Sequence, residues 1–215
     1  MTPPRLLLDH VAIAANSLEA GVAAVEEALG VAFGPGGQHR EMGTHNRLLR
    51  LGSDLFLEVI AIDPAAPPPG RPRWFAFDAA GTAARLAAPR PWTWVIRADG
   101  DPEAARAALP PALGPFVRVS RGALAWRLTV PEDGGMALDG YLPALIAWPE
   151  GPHPAARMAE AGCGLRRLTV VHPQAERIRA PLAALLDADR RVAVETGPPH
   201  LAIEIDTPHG PRRLG

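Results

Sequence analysis

Residues 55–62 read LFLEVIAI, and Glu58 is the one charge among them. The period of two that a strand imposes puts Phe56, Glu58, Ile60 and Ile62 on one face and Leu55, Leu57, Val59 and Ala61 on the other. Both faces are apolar, so the strand is expected to be buried on both sides. An ionised carboxylate there is costly unless a metal, an arginine or a histidine from another strand pairs with it. Glu58 is therefore assigned the catalytic role. His10 shares a strand face with Ala12 and Ala14, which leaves space in front of its ring. A core histidine bonded to a neighbour, a metal ligand and a general base all fit that placement.

Further polar residues surround this pair. Thr44 and Asn46 alternate with His45, so the first two face one way and His45 the other. They are read equally as substrate contacts and as strand-edge hydrogen bonders. His39 follows Gly36-Gly37 and could close a cavity mouth, although a loop histidine is more often solvated. Trp148 and His153 lie in the run WPEGPHP, which packs the tryptophan or forms a ligand lid. Cys163 is the single cysteine, so the chain has no internal disulfide and no thiolate cluster. No base lies near it in sequence, and it receives no catalytic role.

The elements that must position these residues begin with a strand over 5–15, RLLLDHVAIAA. Asn16 precedes Glu19 by the spacing of a capping box, apolar residues follow at helical intervals, and Gly30 stands where a helix stops. A glycine-rich strand leads into a hairpin, THNRLLRLG and LFLEVIAID, around Gly52-Ser53-Asp54. Residues 1–63 thus read as β-α-β-β-β. Residues 64–90 read as a Pro-rich linker followed by a short helix with aromatic anchors. A second unit over 91–150 opens with WTWVIR and a helix capped by Asp101-Pro102, followed by three strands. A third, partial unit over 163–215 opens with LRRLTVV and a helix that Pro181 should kink or split. Laying residues 165–170 over 8–13 places Arg167 opposite His10, which predicts either an arginine aimed at the cavity and at carboxylate ligands or, where the third unit is an appendage, one that simply reaches solvent. The three starts predict an α+β fold: repeated βαβββ units forming curved, mainly antiparallel sheets around a shared cavity.

Composition excludes several functions. Net charge is −1, and all 22 basic residues are arginine. No basic excess points to nucleic acid or a membrane surface, and no apolar run reaches spanning length. A cytoplasmic chain without a signal-peptide pattern is expected, with a homodimer left open.

The ordered set LDHVAIA, GGQHREMGTHNRLLRLG, LEVIAID, SRGALAWRLT, LPALIAW, PHPA, LRRLTVVHP and HLAIEIDTPHG resembles the glyoxalase-like members of the vicinal oxygen chelate superfamily over nearly the whole chain. The resemblance implies a half-closed barrel of paired βαβββ units, as in glyoxalases, bleomycin-resistance proteins and dihydroxybiphenyl dioxygenases. It further implies that His10 and Glu58 hold a divalent metal, with Mn, Fe, Ni or Zn suited to such donors. Two departures accompany it. No His, Gln or Glu occurs in the corresponding strands 92–97 and 142–148, and Ala147 precedes Trp148 where relatives of the subgroup often have an acidic residue. Arg121 and Trp126 match the subgroup's motif, and a surface arginine and a core tryptophan also account for them. Two functions are expected: a metal-dependent lyase, isomerase or dioxygenase-like enzyme acting on a small oxygenated substrate, or a metal-free protein that binds or sequesters a small molecule in the same cavity.

Overall fold

The computed structural model describes residues 5–215. Strand β1 (Arg5–Ala14) is followed by helix α1 (Leu18–Leu29) and strands β2 (Gly34–His39), β3 (Thr44–Arg50) and β4 (Phe56–Ile62). After a long connection with the short helix α2 (Thr82–Arg85) come β5 (Arg90–Asp99), α3 (Pro102–Ala108), β6 (Phe116–Arg121), β7 (Leu124–Thr129) and β8 (Ala144–Ala147). The chain ends with β9 (Gly164–Val171), α4 (Glu176–Ala188), β10 (Val192–Glu195), β11 (His200–Thr207) and β12 (Gly210–Leu214).

Strands β1–β8 form one sheet in the order β2-β3-β4-β1-β5-β8-β7-β6. Each half closes on a parallel pair, β1 with β4 and β5 with β8, and the halves join through antiparallel β1 and β5. The sheet curls until its edges meet. Ser120, near the end of β6, donates through Oγ to Glu41 Oε1 at 2.6 Å, just past the end of β2. Alternation then sorts the side chains. Val11, Ile13, Leu55, Leu57 and Val59 pack outward beneath the helices, whereas Ala12, Ala14 and Ile60 face into the nearly closed barrel with Val95, Trp126 and Leu128. The connection between β4 and β5 contributes to that interior through Trp74, Phe75, Phe77 and Leu86. Phe75 and Ala76 have left-handed backbones, φ 56° and 55°, a costly geometry for side-chain-bearing residues. Bonds from Trp92 Nε1–H to the Phe75 carbonyl and from the Ala76 N–H to Gly134 hold them there.

Strands β9–β12 form a second sheet, ordered β10-β9-β11-β12. Here the residue-by-residue superposition of third start on first fails. In the first half three elements separate β1 from its parallel neighbour β4. In the last segment β9 pairs directly with β10 through the single crossover helix α4. This sheet and α4 cover the outer surface of β1 and β5, so Leu168, Ile178, Leu182 and Ile203 share a core with Val11 and Ile13. Two local expectations are also corrected. The cap of α1 is Ser17, whose Oγ accepts the Ala20 N–H, and Asn16 instead donates to the Ala83 carbonyl. Helix α4 runs unbroken through Pro181, and Ile178, Leu182 and Leu185 on its apolar stripe are buried. Tertiary packing outweighs the lost hydrogen bond. Among the described residues no helix is long and apolar enough to cross a membrane.

Candidate functional site

His10 on β1 and Glu58 on β4 are on neighbouring strands and project into the barrel, where His10 Nε2 lies 3.8 Å from Glu58 Oε2. Both are buried, at 6% and 5% exposure. The imidazole stacks on Phe56, ring centroids 4.5 Å apart, which fixes its plane.

The orientation of His10 comes from a residue that alternation assigns to the wrong face. Across β1 and β5, Leu8 pairs with Ile96 and His10 with Val95, so Asp9 is an extra, bulged residue. The bulge brings the fully buried Asp9 carboxylate 2.7 Å from the ring nitrogen Nδ1 of its own neighbour. A carboxylate only accepts, so His10 Nδ1 carries a proton toward Asp9 and Nε2 faces the barrel interior. Asp9 Oδ2 accepts from Trp148 Nε1–H at 2.8 Å and from His153 Nε2 at 3.1 Å. His153 Nδ1 accepts the Ala155 N–H, leaving its proton on Nε2 to face Asp9. Burial pushes the Asp9 carboxyl up, but the hydrogen bonds from His10 and His153 outweigh it and hold the group below the usual carboxylate range.

A second network fixes Glu58. Asn46 on β3 donates from Nδ2 to Glu58 Oε1 at 2.6 Å and lies 3.3 Å from His39 Nε2. Its Oδ1 accepts the Gly37 N–H and Arg121 NH1. With Nε2 facing an amide donor, the His39 proton lies on Nδ1, 3.0 Å from Thr44 Oγ1, which also accepts Trp74 Nε1–H. Burial, with the Arg121 charge, lowers the His39 pKa from 6.5 to about 3, so the ring stays neutral.

The sites expected at His10, His39, Thr44, Asn46, Glu58, Trp148 and His153 are thus brought into one connected cluster. Arg167 is not. It stands on β9 in the second sheet, its side chain 45% exposed, 3.5 Å from Glu195, and it does not face the barrel. Sequence reasoning missed Asp9, Trp74 and Arg121. For Asp9 the only signal was an acid inside the apolar run LLLDHVAIA.

The cluster lines a small chamber of about 20 Å³, room for roughly one water. His10, Asn46 and Glu58 form its polar wall, and Trp126, Leu128, Ile146 and Trp148 its opposite wall. Arg121 and Trp148 separate it from an outer cleft of about 710 Å³ between β2–β3 and residues 148–161.

His10 Nε2 and Glu58 Oε2 converge, but apolar side chains occupy the opposite wall and the Arg121 guanidinium opposes a divalent charge. Among the described residues no cluster of three or more His, Cys, Asp or Glu side chains could hold an ion. The residues do not fit a closed divalent site.

The family described as "Glyoxalase-like domain" matches residues 8–186. The chain belongs to the glyoxalase-like domain family. Its fold is that of the vicinal oxygen chelate superfamily. Among solved structures, this glyoxalase-like chain is similar to a hypothetical protein from Staphylococcus aureus, at 14% identity and TM-score 0.60, over 91% of this chain and 88% of the other. It is also similar to methylmalonyl-CoA epimerase from Mycobacterium tuberculosis, at 19% identity and TM-score 0.42, over 66% and 88%. No curated protein matches.

Proposed function

We propose that this glyoxalase-like protein is an enzyme that moves a proton at a carbon next to a carbonyl group, in the isomerase or lyase class, using Glu58 and His10 without a metal. The carrying observation is the 3.8 Å approach of His10 Nε2 to Glu58 Oε2, with His10 oriented by Asp9 and Glu58 by Asn46. Each member of the pair is then set for a role. The Glu58 carboxylate takes the proton from carbon, the C–H electron pair passes into the enolate, and the proton returns to carbon or leaves through His10. Arg121 and the Asn46 amide supply positive potential where negative charge develops.

The placement also selects the stereochemistry. His10 and Glu58 project from adjacent strands, and the facing wall of Trp126, Leu128, Ile146 and Trp148 contains no base. Proton removal and return on one face of the substrate follow, rather than a two-base inversion. The narrowness of the chamber supports a second reading, in which the protein only binds its small-molecule ligand.

Deuterium uptake from D₂O into the acidic C–H position of simple 2-oxo acids, read by proton NMR, separates the two. We expect uptake by wild-type protein that survives extensive chelation and falls on the order of 10²-fold or more in Glu58→Gln. No uptake with any bound 2-oxo acid leaves the binding reading. Loss of uptake on chelation, restored by one divalent ion, overturns metal independence.

A further inference from the structure

The outer cleft and the inner chamber share two walls, Arg121 and Trp148, and differ sharply in character. Phe33, Leu48, Leu124, Trp148 and Met158 line the cleft, together with Pro149, Pro152 and Pro154. Its volume of about 710 Å³ is in the range that encloses a drug-sized molecule. Two of its charges are spent on each other, since Arg50 lies 3.2 Å from Glu160. Arg157 and Glu150 stand at the exposed rim.

Arg121 is different. Its stem crosses β2 at Gly37, where a Cβ would come within 2.6 Å of Arg121 Cγ, so only glycine leaves the path free. The guanidinium ends beside Asn46 Oδ1 at 3.3 Å and over the Trp126 ring, 5.9 Å from its centroid. Among the described residues that bond to Asn46 is its only hydrogen bond, and no carboxylate oxygen lies within 4 Å of it. A guanidinium has five N–H donors in a planar fork. Glu58, on the far side of Asn46, acts on this half-buried cation only through space, so most of the fork at the neck of the apolar cleft is free to bond an anion.

We infer that the substrate is an amphiphilic carboxylate carrying an enolisable carbonyl, a 2-oxo acid with an apolar chain or ring, whose carboxylate pairs with Arg121 while its apolar arm fills the outer cleft. This rests on the proton-transfer reading of Glu58 and His10, and it adds what the neck and cleft select. The chamber takes only a water, so the head group enters as the long Arg121 stem swings aside. The paired carboxylate then holds the acidic carbon toward Glu58. Pairing with Arg121 also draws charge from the neighbouring carbonyl, which favours the enolate.

Calorimetric titration of the wild-type protein with pyruvate, 2-oxopentanoate and 2-oxooctanoate, with 2-octanone and octylamine as uncharged and cationic counterparts, tests this. Affinity should rise about three- to fourfold per added methylene. The oxo acid should bind at least tenfold more tightly than the ketone of equal length, and octylamine should bind more weakly than either. Arg121→Gln should erase the preference for carboxylate and keep the chain-length slope, with an unchanged far-ultraviolet circular dichroism spectrum. Arg121→Lys, which keeps the charge without the fork, should recover part of it. Equal affinity for 2-oxooctanoate and 2-octanone, a flat chain-length series, or an unaltered preference in Arg121→Gln overturns the assignment. Glu58→Gln separates this from the reading on which it rests, because it should keep oxo-acid binding while losing deuterium uptake. Binding with the predicted selectivity but no uptake in wild type would fail the proton-transfer reading alone. Uptake into pyruvate with no gain from longer chains would fail the substrate class alone.

Discussion

Asp9 and His39 show how burial and hydrogen bonding set charge in opposite ways. Asp9 is buried as a carboxylate because His10, His153 and Trp148 all aim donors at it. Asp9→Asn puts an amide donor among those donors, and we expect a loss of about 2–3 kcal/mol in urea unfolding, from groups left without a proper acceptor. His39 is buried neutral, its pKa lowered from 6.5 to about 3. Both folded values lie below their unfolded ones, so the unfolded chain takes up protons first and acid favours it. The His39 contribution is complete above pH 6.5 and is lost as pH falls toward about 3; that of Asp9 is complete above about pH 5 and is lost below its ordinary value of 3.8. Stability should therefore decline on the order of 2 kcal/mol between pH 6.5 and 5 from His39 alone. His39→Gln should flatten the urea midpoint over that interval; an unchanged slope would show that the ring is not the group responsible.

At the scale of elements, periodicity made much of the site legible. Alternation along β1 and β4 was enough to place His10, Ala12 and Ala14 beside Glu58 and Ile60, because a strand buried on both faces has no register freedom. The same rule hid Asp9, since a bulge breaks alternation without leaving a composition signal, and it could not choose between cavity and solvent for Arg167. Two strand starts with similar letters were aligned as though their neighbours matched, but pairing partners are set by the whole segment and not by the strand. Arg121 was read as a surface side chain, because nothing local says that β2 and β6 meet. The glycines that let them meet give the prediction at this scale. A Cβ on Gly36 would lie 1.7 Å from the Asn46 carbonyl oxygen, a backbone atom that cannot yield, whereas one on Gly37 meets the flexible stem of Arg121. Gly36→Ala should destabilise the fold by about 2 kcal/mol or more. Gly37→Ala should keep the melting temperature within a few degrees while impairing ligand binding as Arg121→Gln does. Equal losses of stability would contradict the difference between the two contacts.

Across the whole molecule, the second sheet covers the barrel rather than lining its interior. Helix α4 packs on β1 and β11 on β5, so the outward residues Val11 and Ile13 are buried partly by a segment that does not reach the barrel interior. A chain ending at residue 162 should expose that apolar strip and collect in inclusion bodies, or bind a hydrophobic dye strongly if recovered. A soluble, cooperatively melting truncation would show that the barrel is self-sufficient. Within the barrel the two halves are unequal. The first supplies the polar groups His10, Glu58, Asn46 and His39, and the second supplies walls, Trp126, Leu128, Ile146 and Trp148, together with Arg121. That inequality gives the scaffold an unusual freedom to be retooled. Under the proposed mechanism, exchanging Leu124, Trp126 or Leu128 for larger or smaller residues reshapes what is admitted while the distances among His10, Glu58 and Asn46 stay fixed on the other half, so a library confined to β7 should change the range of oxo acids bound while deuterium uptake persists.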